Sequence, residues 1–340
     1  LNATSTNATS TPRTAAALRR CFIHIGTPKT GSTSLQAFLA ANRAQLLDAG
    51  IFIPQSAGGG DPEAAGHHAI PSELLGEPPW PSGGLAAVGA ELASTDAPVA
   101  CISSENISLL YDRPEQLKRL RDVIVESGFT PVIVAYVRPQ VSYATAVFAL
   151  NVLNGYRTSF ADFYAEVIAT GRCAWNGGYG PQFDYTRLLD GFSAVFGPGS
   201  IVVRRFSSDA PDAGLLRSFT RVLLPDTPFA RFDVPPKRAN RTMTFPDVLR
   251  RLGTPNNFDQ HVRFAPFTLP EILRFWLRFA PANRRLAAQY GTRLPVFEVR
   301  DLVRALPIRR TLALTRQYAQ AQSALRSPEL PSRPREPARP

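Results

Sequence analysis

Cysteine, methionine, tryptophan and histidine are scarce in this 340-residue chain: three, one, three and four residues. Each scarcity removes an option. Cys21, Cys101 and Cys173 form no disulfide framework and lack the spacing of metal ligands. Cys21 and Cys101 lie in apolar runs of strand type and read as inert core residues, which suits a reducing compartment. No run approaches the ~20 apolar residues that cross a bilayer, and no secretory-leader pattern is visible. The strand-like runs also lack a terminal aspartate. That excludes the usual Mg²⁺ ligand of an ATPase or kinase, an Asp at the end of a strand beside the phosphate loop.

What is present is globular. Hydrophobic residues make up 44% and charged residues 19%, with ample length for a sizeable core. The net charge is +11, which points to an anionic ligand: nucleotide, phosphate, polyanionic sugar or nucleic acid. Residues 1–19 are small and polar, and the tail from Ser327 is rich in Pro and Arg. Both read as disordered, leaving one domain over residues 20–326.

Strand-like and helical patterns alternate. Residues 21–26, 51–54, 99–102, 131–137 and 201–204 read as strands. Residues 32–48, 84–94, 114–126, 159–170, 183–195, 211–222, 244–252, 268–287 and 309–325 read as helices, with one more from Arg138-Pro139 to about Asn151. Residues 55–83, rich in Gly, Pro and Ala, read as a long irregular insertion. Nearly all-apolar strands between helices predict an α/β fold: a central parallel sheet covered on both faces. Ligands of such sheets bind outside the carboxyl ends of the strands. Three predicted strands deliver polar groups there: the loop Gly26–Thr33, then Ser103-Ser104-Glu105, then Arg138.

The first of these is the most informative. An apolar run enters Gly26-Thr-Pro-Lys-Thr-Gly31-Ser-Thr33 and a helical pattern follows at once. This is the layout of a strand–loop–helix phosphate cradle, in which N–H groups and the helix dipole face an anion. Gly26 and Gly31 keep the spacing of G-x-x-x-x-G-K-[ST], and Thr33 holds its last position. Ser32, however, occupies the lysine position, and the lysine has moved upstream to Lys29. Inside the loop, Lys29 can lie against a bridging oxygen and neutralise charge on a leaving phosphate. Thr30, Gly31, Ser32 and Thr33 would grip a terminal phosphate, and Arg138 a second one.

These residues carry a resemblance. Ile25-Gly-Thr-Pro-Lys-Thr-Gly-Ser-Thr-Ser34 resembles the 5′-phosphosulfate loop of sulfotransferases that use 3′-phosphoadenylyl sulfate (PAPS). Tyr136-Val-Arg-Pro-Gln140 is similar to the start of their 3′-phosphate element. Looser matches to the bacterial carbohydrate-type branch are His67-His68, Ser103-Ser104-Glu105, Phe183 through Gly197, Ile201–Phe206 and Arg238–Thr242. The resemblance spans about residues 21–252.

It implies a P-loop-like sulfotransferase architecture. It also implies transfer of a sulfuryl group from PAPS, without metal, to a hydroxyl, chiefly on a carbohydrate. Thr27, Pro28, Lys29, Thr30, Gly31, Ser32 and Thr33 would hold the 5′ side, and Arg138 the 3′-phosphate. The family's serine two turns after that arginine is Ala146 here, so Ser142 and Arg238 or Arg241 are the substitutes. Glu105 is the first candidate for general base; a helix-capping or salt-bridged carboxylate is its other reading. His67 and His68 are second candidates, with plain surface as their alternative. His24, inside a strand, reads as a core histidine. Tyr156, Trp175 and Tyr179 offer faces on which a sugar could stack, or ordinary loop packing.

The expected partners are a small sulfate donor and a hydroxyl acceptor, without nucleic acid. The expected setting is cytoplasmic, or a Golgi-like lumen if an anchor precedes Leu1. Two other classes stay open: a diverged P-loop NTPase or small-molecule kinase, and a non-catalytic binder of polyanions.

Overall fold

The computed structural model describes residues 18–56, 66–76, 83–156, 159–175, 178–207, 212–235 and 266–305. Its centre is a five-stranded, all-parallel sheet. The strands are β1 (Arg20–His24), β2 (Ile51–Phe52), β3 (Val99–Ser103), β4 (Thr130–Val137) and β5 (Ile201–Arg205), in the order β2-β3-β1-β4-β5. The α/β class read from the sequence is therefore correct. β1 lies between β3 and β4, with His24 opposite Ser103 on one side and Val134 on the other.

Alternation along each strand divides the core in two. Cys21, Ile23, Ile133, Ala135 and Val137 face one cluster, and Phe22, Val134 and Tyr136 face the other. Helices cover both clusters, which is why the strands read as unbroken apolar runs. The first face takes α3 (Ala69–Leu75), α4 (Gly84–Ser94), α5 (Pro114–Glu126), α6 (Gln140–Leu153), α7 (Phe160–Thr170), α8 (Tyr185–Phe196) and α10 (Leu269–Tyr290). The second takes α1 (Ser32–Ala41), α2 (Arg43–Asp48) and α9 (Asp212–Leu223). A short α11 (Val299–Ala305) follows α10.

Local signals explain most of these elements. α5 opens with Pro114 in its first turn, has Glu115 beside it, and buries Leu117, Leu120 and Ile124 along one stripe. α10 opens on a capping box in which Thr268 and Glu271 satisfy one another's backbone N–H groups.

Three expectations need correction. The helix expected over 32–48 is two helices, broken at Asn42. That side chain donates to the Phe38 and Asp233 carbonyls and accepts from the Asp233 N–H, competing with the helix ladder. The insertion expected to be irregular contains α3, which buries Ile70 and Leu74 and stops at Gly76. α11 was not expected at all. The helices expected at 244–252 and 309–325 lie outside the described residues.

Candidate active site

The sheet stays hydrogen-bonded to the lip of the site. Beyond the end of β1, the Ile25 N–H donates to the Val134 carbonyl and the Thr27 N–H to that of Tyr136. The Tyr136 N–H donates to Gly26, and the Ser104 N–H to His24. The segments after β3, β1 and β4 are thus fixed side by side, and they bring Lys29, Glu105 and Arg138 together.

The loop after β1 is tightly built. Gly31, at φ 85°, is the N-cap of α1 and supplies no side-chain cap. A Cβ there would stand 2.4 Å from a Leu215 methyl, so only glycine lets the loop close on α9. A Cβ on Gly26 would stand 2.7 Å from the Cβ of Glu105, so the carboxylate's stem lies directly over the loop. Lys29 has φ 62°, the left-handed region that costs a side-chain-bearing residue about 1–2 kcal/mol.

The loop's polar groups divide into spent and unspent. The Thr27 hydroxyl donates to the Tyr136 carbonyl (3.3 Å), and that of Thr30 to the Thr27 carbonyl (2.6 Å). These two hydroxyls hold the loop's shape, so a grip by Thr30 would fall to its backbone N–H. Ser32 differs. Its hydroxyl is buried in the first turn of α1 and, among the described residues, has no hydrogen-bond partner. A buried hydroxyl without a partner costs about 1–3 kcal/mol, and a bound anion would remove that cost. Thr33 is exposed at the same helix end, and no acid stands in the first turn.

Lys29 keeps an exposed surface, and among the described residues its amine makes no hydrogen bond or ion pair. Its pKa is lowered from the usual lysine range. Lost solvation is the main cause, repulsion by Arg138 adds to it, and attraction to Glu105 opposes it.

Arg138 is aimed by its surroundings. Its Nε donates to the Ser142 hydroxyl (2.9 Å), one terminal nitrogen donates to the Lys29 carbonyl (3.2 Å), and the guanidinium lies over Phe206 (5.7 Å). The Tyr185 hydroxyl donates to the Arg138 carbonyl (2.7 Å). Ser142, expected to touch a phosphate, spends its own proton on the Pro139 carbonyl (3.0 Å) and acts by orienting the arginine. The Val141 N–H, in the first turn of α6, is taken by the Val296 carbonyl. Charged Glu298, Arg300 and Asp301, around the start of α11, complete the arginine's surroundings. Arg238 and Arg241 lie outside the described residues.

Glu105 begins a 3-10 helix over Glu105–Leu110 and is half-buried. Its Oε2 accepts from Gln36 Nε2 (2.9 Å). Sequence reading missed Gln36, although a signal existed. It stands one helical turn after Ser32, flanked by the buried apolar residues Leu35, Phe38 and Leu39, and i,i+4 residues share a helix face. The same helix thus carries the uncapped N-terminus with Ser32 at its tip and holds the carboxylate from its side.

The histidines separate. His67 is buried, and both of its ring nitrogens are committed. Nδ1 accepts the Ser103 N–H (3.1 Å), which places the ring proton on Nε2, and Nε2 donates to the Pro54 carbonyl (3.1 Å). Burial lowers its pKa to about 4. With no nitrogen left for an acceptor, His67 is corrected from candidate base to structural cross-brace. His68 is half-buried, and its Nδ1 shares a hydrogen bond with the Ser104 hydroxyl (3.0 Å) beside Glu105. His24 is a core histidine bonded to Ser103 (2.8 Å), its pKa lowered to about 3 by burial.

The aromatic candidates lie elsewhere. Trp175 Nε1 donates to Asn151, and the Tyr156 N–H donates to the Asn151 carbonyl. Asn151 is eleven residues along α6 from Gln140, about 16 Å from the arginine end at 1.5 Å per residue. Trp175 also packs against the core. Among the described residues, no three His, Cys, Asp or Glu side chains cluster as a metal site would need, and no helix is long and apolar enough to cross a membrane.

A solved structure of a sulfotransferase from Alicyclobacillus acidocaldarius is similar to this chain. Identity is 18%, the match covers 81% of this chain and 97% of that one, and the TM-score is 0.44. No protein-family model and no curated protein matches the chain.

Proposed function

We propose that this protein is a sulfotransferase that moves a sulfuryl group from PAPS to a hydroxyl, chiefly one on a carbohydrate. One observation carries the reading. A buried hydroxyl without a partner, Ser32, stands at an uncapped helix N-terminus beside Lys29, whose cation is held by a left-handed backbone. Neutral ligands need none of this, whereas a phosphate or sulfate ester satisfies all of it. The second cation, Arg138, suits a donor with phosphates at two positions.

The residues divide the work. Glu105 takes the proton from the attacking hydroxyl as the oxygen approaches sulfur, and Gln36 keeps the carboxylate turned toward that task. Lys29 meets the negative charge that grows on the departing phosphate oxygen. Such preorganised charge is worth about 10²–10³ in rate per donor removed. Ser32, Thr33 and the N–H groups at the tip of α1 hold the 5′ end. Arg138, steadied by Ser142 and the Lys29 carbonyl, neutralises the 3′-phosphate. Thr27 and Pro28 shape the loop.

Calorimetric titration tests the donor. Adenosine 3′,5′-bisphosphate is expected to bind tightly without metal and in preference to ATP with Mg²⁺. Preference for Mg-ATP would establish the kinase reading. Binding of neither, with salt-sensitive glycan binding that survives Lys29→Ala, would establish the polyanion binder.

A further inference from the structure

Among the described residues, no element covers the outward apolar side of α10. Ile272, Phe275, Phe279, Ala282 and Leu286 already bury one face of this helix in the core. On the other side Leu269, Leu273, Trp276 and Leu277 remain 37%, 56%, 42% and 61% exposed. At 100° per residue, these four fall within an arc of about 100°, a continuous stripe. Val299 and Val303 of the adjoining α11 are exposed as well. Contiguous exposed apolar side chains of this kind on a folded domain point to an interaction site.

Charge selects the partner. Arg274 and Arg284 are exposed alongside the stripe. The helix's only acid, Glu271, is spent on the Thr268 cap. A second copy of this surface would set arginine against arginine with no acid to match. A tryptophan and leucines flanked by arginines, on a chain of net charge +11, have the make-up of a helix that lies in a lipid headgroup layer.

We infer that α10 docks the protein peripherally on an anionic lipid surface, its Leu273–Trp276–Leu277 stripe entering the headgroup layer and Arg274 and Arg284 facing lipid phosphates. The inference stands apart from the proposed chemistry. Flotation of the full chain with phosphatidylcholine vesicles, with and without phosphatidylglycerol, tests it. Binding is expected only with the anionic lipid, weakening as salt is raised, and with a blue shift of emission that Trp276→Phe removes. Leu273→Ser/Leu277→Ser should bind about tenfold more weakly or worse with an unchanged melting temperature, because both side chains are exposed. Equal flotation of that variant would overturn the inference, as would equal binding to neutral vesicles. So would a lipid-free dimer that the double variant dissolves, or Trp276 emission already blue without lipid.

Discussion

Two segments at one end of the sheet, the loop after β1 and the 67–68 segment beside β3, both offered candidate chemistry and are built differently. Around His67 every polar group is used: the ring ties Ser103 to Pro54, and the backbone N–H of His67 donates to Ser103. Around Lys29 the fold leaves the Ser32 hydroxyl without a partner and the lysine cation in a strained, partly desolvated seat. His67 is consumed by the fold, whereas Ser32 combines an unpartnered hydroxyl with a place at a helix N-terminus beside a lysine; His24 Nε2, also without a partner, has no such place. Residue type does not separate the two; the hydrogen-bond inventory and the place in the fold do.

The largest expected effects fall on the unspent groups. Glu105→Gln should lower turnover about 10²–10⁴-fold in a sulfate-transfer assay while bisphosphate affinity holds. Lys29→Ala should lower it about 10²–10³-fold. Normal turnover by either variant breaks the comparison at its functional end.

Arg138→Ala is expected to weaken bisphosphate binding by ~10–100-fold, the range of one hydrogen-bonded charge. Calorimetry against 5′-AMP, which lacks the second phosphate, should show little change.

His67→Leu should act on stability alone, costing about 1–3 kcal/mol as the Ser103 N–H and Pro54 carbonyl lose their partner, with bisphosphate affinity unchanged. pH sharpens this. The pKa values of His67 and His24 are lowered in the fold to about 4 and about 3. Below the unfolded value of about 6.5 the unfolded chain therefore binds more protons. Their contribution is fully present above that pH and falls with acidification, by at most about 1.4 kcal/mol per pH unit for each histidine. Denaturant melts from pH 7 to 4 should show the slope, and His67→Leu should remove its share.

The smallest effect is the most pointed. Lys29→Gly relieves the left-handed backbone, so stability should stay level or rise by up to about 1 kcal/mol while turnover is lost. A clear loss of stability would mean that the loop needs the lysine for its own shape.

Much of this was legible in the sequence. Strands buried on both faces leave unbroken apolar runs, and the run of Gly, Thr, Pro and Lys after the first of them marked the loop between β1 and α1. Other outcomes depend on distant partners. The fate of His67 is set by backbone groups at 54 and 103, and nothing near it in sequence announces them. The break at Asn42 depends on Asp233. α3 was hidden because a seven-residue helix containing Pro71, set in Gly- and Pro-rich surroundings, lacks the length for periodicity to register. Gln36 was legible and overlooked, because a lone polar residue on a helix reads as surface until its neighbours are placed.

The central position of β1 bears on how the protein is made. Its neighbours are β3, where Cys21 meets Ala100, and β4, where Cys21 meets Pro131. Every pairing of the sheet is parallel and needs a long crossover, even between the consecutive strands β2 and β3 or β4 and β5, so loop closure must precede any reward, and folding of such a topology is slow. A ribosome that has released the chain only through Asp96 has delivered the entire Gly26–Thr33 loop but neither strand that gives it shape. Competence therefore arrives late and all at once during synthesis, and fragments that retain the signature residues should be inert toward nucleotides.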